Sequence, residues 1–375
     1  MKRKTREECR SRHGGSNCGD TCWKQLDPYS TEGLEARFKK RFKGGSDYKF
    51  KGFVGQGAYG VTALIHDTKQ CPPRPLIIKR ALAADVVDDL ETEIQALKLF
   101  RGAAHIVQMI DYRDCKACEK VSDRKLPGPY IVLDYLENGT FEDFMERVGE
   151  AKVRVPNRVL WFIMLCFIRA LAGLAWPAKG EQGAESQLEE SSSEDPTGYA
   201  HNDLHTGNIM FGGLDPEVEE HSLVPLCKII DFGSATSREL FADPDATPNL
   251  LQGQASNMEG LARIMMRLIT GEAKRLPDRP AKMPSGIETD ATLLFVPAAK
   301  FRYKWLDENL RDLIGNMMAR DHQYRPALDS TLQGTLERAT NLRSKDFPEE
   351  IREEERTSAI QAFVQRFFLD ARGGN

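Results

Sequence analysis

His201-Asn202-Asp203-Leu204-His205-Thr206-Gly207-Asn208, followed by Asp231-Phe232-Gly233, is the stretch on which the reading of this 375-residue chain turns. Asp203, Asn208 and Asp231 bring two carboxylates and an amide oxygen close together in sequence. Hard oxygens of this kind suit a small divalent cation. A carboxylate that does not bind the cation can accept a proton from a hydroxyl. Phosphoryl transfer asks for little more, because its catalysis is mostly positioning of the nucleophile and neutralisation of phosphate charge. Asp203 is accordingly the candidate proton acceptor, and Asn208 and Asp231 are the candidate Mg2+ ligands. Taken singly, either fragment also fits a polar loop before a buried strand, since Asp, Asn and Gly are ordinary turn residues.

The upstream pattern separates these readings. Val54-Gly55-Gln56-Gly57-Ala58-Tyr59-Gly60 is a G-x-G-x-x-G string, which in isolation suggests a dinucleotide site opening a helix. The residues that follow, Val61-Thr62-Ala63-Leu64-Ile65, are rich in β-branched side chains and predict a strand, so the glycines join two strands in a hairpin. Such a loop can lie over a triphosphate, because missing Cβ atoms let backbone amides approach its oxygens. A third apolar run, Leu76-Ile77-Ile78, delivers Lys79. A helix is predicted next, carrying Glu91 and Glu93, with Ile94 and Leu97 on its inner side.

With these motifs in order, the chain resembles the protein kinase superfamily over roughly residues 48–335. The glycine-rich loop is matched by Gly55, Gly57 and Gly60, the phosphate-anchoring lysine by Lys79 and its helical partner by Glu93. The hinge is matched by residues 131–140, with Leu133 as gatekeeper, the catalytic loop by His201, Asp203 and Asn208, and the metal-binding triplet by Asp231-Phe232-Gly233. Residues 257–271 resemble the central helix of the larger lobe, and Asp321 to Pro326 resemble the closing arginine-proline motif. The resemblance implies an α+β, two-lobed protein kinase-like fold, with a small antiparallel β-sheet N-lobe plus one helix and a larger, mainly helical C-lobe. It implies ATP and Mg2+ as cofactors. Adenine would then sit among Val54, Ile77 and Met210, bonded by backbone groups of Asp134 and Leu136, with Thr62, Leu133 and His205 also lining the site. Lys79, held by Glu93, would meet the α- and β-phosphates.

Several positions depart from the family pattern. Asn202 stands where many kinases carry the arginine that receives an activation-loop phosphate. His205 replaces the usual lysine, a version of the loop resembling small-molecule kinases of the aminoglycoside and methylthioribose type. The stretch from Asp231 to Asn257 is short and lacks an Ala-Pro-Glu motif, which deprives Arg325 of its usual glutamate. Asn257 replaces the aspartate that braces the catalytic loop, and Ile77 and Thr62 replace a smaller alanine and a valine around adenine. Three functions follow from the resemblance: a serine/threonine-type protein kinase, a kinase of small-molecule hydroxyls, and a non-enzymatic pseudokinase scaffold. The first is the leading expectation, with a protein as substrate.

Composition agrees with a chain of two lobes: 41% hydrophobic and 29% charged residues, with a net charge of -4 that names no polyanionic partner, nucleic acid included. The run from Val159 to Trp176 would span only about 27 Å as a helix and contains Arg169, so a buried helix is expected rather than a membrane span. The eight cysteines are expected to be reduced thiols. Cys115-x-x-Cys118 lacks a second nearby pair, and Cys9, His13, Cys18 and Cys22 lie in a polar arm, so neither set is expected to hold a metal. Along the chain, residues 1–45 read as a basic flexible arm, 46–136 as the N-lobe and 137–345 as the C-lobe. An acidic insertion at 179–198, containing the exposed-looking run SSSED, is expected to be disordered. Residues 346–375 read as an amphipathic helix starting at Pro348, with Ile360, Phe363, Val364, Phe367 and Phe368 on one buried face. A cytoplasmic location, extended to the nucleus by the basic arm, is the expectation.

Overall fold

The computed structural model describes residues 38, 42, 47–57, 60–81, 87–113, 129–236, 250–272 and 279–370. The fold is mixed α+β, and the chain divides into two compact units: residues 1–98 with 108–135, and residues 99–107 with 136–375.

In the first unit, five antiparallel strands, β1 (Tyr48–Gly57), β2 (Gly60–Asp67), β3 (Arg74–Arg80), β4 (Met109–Arg113) and β5 (Tyr130–Asp134), form one sheet in the order β1-β2-β3-β5-β4. The glycine string does join two strands: Gly57 pairs with Gly60 across the turn. A side chain at Gly60 would overlap the carbonyl oxygen of Arg80, so the approach of β2 to β3 at this point needs glycine. Alternation sorts the strand residues by face. Val61, Ala63, Ile65, Leu76, Ile78 and Val132 form a buried cluster that also takes in Phe38 and Phe42. Phe38 meets Phe50 and Phe53 at 5.6 and 5.5 Å between ring centroids. The expected mobile arm is thus corrected at these two residues, because a pair of aromatic rings has enough apolar area to dock against the sheet. The opposite face carries Thr62, Ile77, Lys79 and Leu133, which are cross-strand partners: Thr62 opposite Lys79, and Ile77 opposite Leu133. Helix α1 (Val87–Leu99) buries Val87, Leu90, Ile94 and Leu97 together with Glu93.

The second unit is mainly helical. Its described helices are α2 (Phe141–Ala151), α3 (Asn157–Ala175), α4 (Leu250–Thr270), the single turns α5 (Thr292–Phe295) and α6 (Ala299–Arg302), α7 (Glu308–Met317), α8 (Leu328–Asn341) and α9 (Thr357–Val364). Short two-stranded ladders, β6 (Ile209–Phe211) with β7 (Cys227–Ile229) and β8 (Ala281–Lys282) with β9 (Glu288–Thr289), complete it. All residues of α3 are buried. This helix is long and apolar enough to cross a membrane, but here α8, α4 and β7 pack around it. Its N-terminus has no side-chain cap of its own. Glu355 supplies one from far along the chain, accepting from the backbone N–H groups of Asn157 (2.6 Å) and Arg158 (3.0 Å), an anion placed at the positive end of the helix dipole.

Two expectations are corrected in this unit. The 179–198 insertion is ordered: Gln187 exchanges backbone hydrogen bonds with Gly102 and Ala104, Thr197 bonds the Leu174 and Ala175 carbonyls, and Glu189 is buried. Its composition suggested a solvated chain, but specific polar contacts substitute for the missing apolar side chains. The C-terminal helix begins at Thr357 rather than Pro348, residues 349–356 forming turns, and it continues as a π-helical turn over Gln365–Leu369. Its apolar face packs on this same unit: Phe368 stacks on Phe144 with 4.3 Å between centroids and meets Phe211 edge-on at 4.8 Å.

Candidate functional site

Two polar sets account for most of the residues singled out in the sequence, one in each unit. In the first unit, Lys79 Nζ lies 2.8 Å from Glu93 Oε2, with the glutamate side chain almost wholly buried. Strand alternation puts Lys79 on the same face as Thr62, Ile77 and Leu133, so four expected site residues share one side of the sheet. Gly55 lies opposite Thr62 at the edge of that array, and Val54 is exposed. The Asp134 N–H donates to the Gln108 carbonyl and its carboxylate bonds Arg74 at 2.5 Å, so that N–H is committed within the unit.

In the second unit, the loop from Ala200 to Asn208 is bonded at several points to the segment from Ile229 to Thr236. Ala200 and Thr236 exchange two backbone hydrogen bonds of 2.9 and 2.8 Å. His201 Nε2 bonds the Ile230 carbonyl at 3.0 Å, and its Nδ1 accepts from the Asp203 N–H at 3.3 Å. That pattern makes His201 the Nε2-protonated neutral tautomer, and burial lowers its pKa below the ordinary 6.5. The Ile230 N–H donates to the Asn208 carbonyl at 3.0 Å. Phe232, fully buried, packs 4.8 Å from the His201 ring and 5.3 Å from Phe100.

These bonds hold backbone that is locally unfavourable. Asn202 and Asp231 have φ of 64° and 63°, the left-handed region that costs an L-residue about 1–2 kcal/mol. Strain of this kind persists only where neighbours over-determine it, and it concentrates at functional positions. The loop is braced from α4 by Asn257, whose Oδ1 accepts the His201 N–H (2.9 Å) while its Nδ2 donates to the Tyr199 carbonyl (2.8 Å). An amide therefore satisfies one donor and one acceptor where the family pattern has an aspartate. Asn202 is likewise structural: its Nδ2 donates to the Ser234 carbonyl and to Thr236 Oγ1, at 3.0 and 2.8 Å. Arg325, without the usual Ala-Pro-Glu glutamate, pairs instead with Glu259 at 2.9 Å and also bonds the Ala255 and Ala319 carbonyls.

The reactive groups sit on this frame. Asn208 Nδ2 donates to the backbone oxygen of Asp203 (2.9 Å) and to its Oδ2 (3.1 Å). The amide nitrogen being so used, Oδ1 is the atom of Asn208 suited to a cation. The Asp203 carboxylate is half exposed, with His205 Nε2 at 3.8 Å from Oδ2. His205 Nδ1 accepts from the Gly207 N–H at 3.1 Å, and a Cβ at Gly207 would collide with the imidazole, so glycine permits the ring to fold back. Met210 lies on β6, bridged to Thr140, and Leu136 is buried beside Gly212. The set therefore combines a solvent-reachable carboxylate, an amide oxygen and a second carboxylate on a rigid polar frame, which fits a hard divalent cation and a proton acceptor.

A second titratable cluster escaped sequence reasoning. His105, Cys166, His221 and Cys227 are all buried in the second unit, and Glu189 lies against His105. Burial pulls the His105 imidazole down, yet the Glu189 carboxylate and Cys166 more than offset this and leave it at about 9. No spacing signal exposes this group, because its members come from four separate elements. The cysteine sets that were weighed, Cys9 to Cys22 with His13, and Cys115 with Cys118, lie outside the described residues. Against known proteins, no family model matches this chain, and no curated protein matches it either.

Proposed function

We propose that this protein is an ATP-dependent phosphotransferase of protein kinase-like fold, moving the γ-phosphate of Mg-ATP to a hydroxyl, with serine or threonine of a protein as the leading acceptor. The first unit would be the smaller lobe and the second the larger. The observation that carries the reading is the Asp203–Asn208–Asp231 frame: a half-exposed carboxylate, an amide whose nitrogen is already bonded to it, and a second carboxylate held in left-handed backbone. Bound Mg-ATP supplies the phosphoryl group and, through the cation, neutralises its charge.

The chain's own residues would divide the remaining work. Asp203 orients the acceptor hydroxyl and takes its proton, a role typically worth about 10²–10⁴ in rate. Asn208 Oδ1 and the Asp231 carboxylate hold the cation, and Lys79, fixed by Glu93, binds phosphate oxygens. Removing one member of that buried pair strands the other, at a cost of about 3–5 kcal/mol, so Lys79 and Glu93 should matter jointly. His205 beside Asp203 favours a second reading, a small-molecule hydroxyl as acceptor, because this position resembles the small-molecule kinases.

The test is incubation of the purified full-length protein with labelled ATP and Mg2+, alone and with a mixed protein extract, beside Asp203→Asn. Label on protein that the variant fails to transfer supports the leading reading, and label on small metabolites alone supports the second. An Asp203→Asn variant that binds ATP and transfers as fast as the parent rules out the assignment. Nucleotide binding without any transfer returns the chain to the scaffold class.

A further inference from the structure

We propose that His105, Cys166, His221 and Cys227 form a buried, four-coordinate zinc site in the second unit. The ligand atoms of His105, Cys166 and His221 all lie within 4.8 Å of one another. Cys227 is buried next to Cys166, the two thiols interacting, and it supplies the fourth donor. A tetrahedral zinc ion with bonds of about 2.0–2.3 Å separates its ligand atoms by about 3.3–3.8 Å, so a contraction of about 1 Å brings these three onto one ion, with Cys227 proposed as the fourth ligand.

Two observations favour a cation over an apolar packing cluster. First, His105 Nε2 and both ring nitrogens of His221 are buried without a nitrogen or oxygen partner. Such groups are rare in folded proteins and call for a reason, a bound ion among them. Second, Glu189 sets the His105 tautomer. Its carboxylate accepts from the His105 backbone N–H and faces Nδ1, both at 2.6 Å, so a proton belongs on Nδ1 and metal binding would displace the other from Nε2. A carboxylate behind a histidine is the arrangement that orients metal-ligating imidazoles and raises their basicity. Glu220, the second carboxylate nearby, is held by Nε and Nη2 of the Arg169 guanidinium, whose Nη1 donates to the Glu189 carbonyl.

The donor set names the metal. Two sulfurs and two imidazole nitrogens are too soft for Mg2+ or Ca2+ and suit Zn2+. Full burial and four protein ligands leave no open coordination position, so the role is structural. The ion would bind the 99–107 segment, α3, the turn at 219–221 and β7 to one another, and β7 leads within a few residues into Asp231. The inference does not depend on the phosphotransferase reading.

The test is metal analysis of the full-length protein, purified and dialysed against a weak chelator. One equivalent of zinc per chain is expected, retained when Cys9, Cys18, Cys22, Cys115 and Cys118 are all changed to serine. Cobalt exchanged into the site should give the visible bands of a tetrahedral, thiolate-ligated ion. Cys166→Ser should abolish both signals. Because that variant risks misfolding, Glu189→Gln supplies a second arm: it keeps every ligand and should weaken zinc affinity about 10–100-fold. A parent protein with no zinc and no cobalt bands overturns the proposal. So does zinc that disappears in the five-serine variant, or an affinity unmoved by Glu189→Gln.

Discussion

The loop carrying Asp203 and the cluster around Cys166 lie in the same unit and use similar residues, yet their surroundings are opposite. Asp203 and His205 are each about half exposed, and the backbone beside them is forced into left-handed conformations at Asn202 and Asp231. The Cys166 cluster is sealed from solvent, and His105 Nε2 and both ring nitrogens of His221 are buried there without a hydrogen-bond partner. The contrast teaches that titratable residues do different work according to access. A group that must exchange protons and ligands with solvent needs a rigid but open frame. A sealed cluster can only hold elements together, so its loss should register in stability rather than in turnover.

That contrast can be broken most decisively at Arg169. It lies in the sealed region and carries the ion pair with Glu220 as well as a bond to the Glu189 carbonyl. Arg169→Met leaves a buried carboxylate unpaired and should cost about 3–5 kcal/mol in urea denaturation. A loss under about 1 kcal/mol would mean that the 179–198 segment is not held as described.

Glu355 offers the next largest effect. In Glu355→Ala the first N–H groups of α3 lose their acceptor inside the core, at about 1–3 kcal/mol. Acid dependence sharpens the point. Burial raises the Glu355 carboxyl above its ordinary 4.5, outweighing the hydrogen bonds it accepts. A raised folded value means that this residue's contribution is fully present below 4.5 and declines as pH rises through the folded value. The stability gap between parent and Glu355→Ala should therefore widen on acidification, and a gap that narrows would contradict the stated environment.

The smallest effect is expected at Asn202, on the open frame. Asn202→Ala removes two hydrogen bonds at a strained, exposed position and should cost about 1 kcal/mol. Asn202→Gly, which relieves the left-handed backbone, should cost less than alanine does. Equal losses in the two variants would show that the φ of 64° carries no strain worth relieving.

Much of this arrangement was legible beforehand for physical reasons. β-Branched content in 61–65 and the apolar run 76–78 predict the two strands, and a strand's alternation then puts Thr62, Ile77 and Lys79 on one face. The apolar run of α3, interrupted by Arg169 and short for a membrane span, reads as a buried helix. The order Gly55, Lys79, Glu93, Asp203, Asn208 and Asp231 identified the polar sets, since local spacing carries their chemistry. Other features were not legible. Phe38 and Phe42 stand in a basic run, and only the contacts of Phe38 with Phe50 and Phe53, and of Phe42 with Phe38 and Tyr48, reveal them as core. The acidic, serine-rich stretch at 179–198 reads as solvated because nothing in it shows that Glu189 will meet His105.

Sequence by itself determined the strands, the long helices and the polar residues of the Asp203 loop, since these depend on patterns a few residues long. Tertiary structure alone decided that Asn257 braces that loop, that Glu259 serves Arg325, that Glu355 caps a helix formed by residues nearly 200 positions earlier, and that His105, Cys166, His221 and Cys227 meet. A buried polar group must find its partner wherever the fold brings one within reach, and that proximity leaves no periodic trace along the chain.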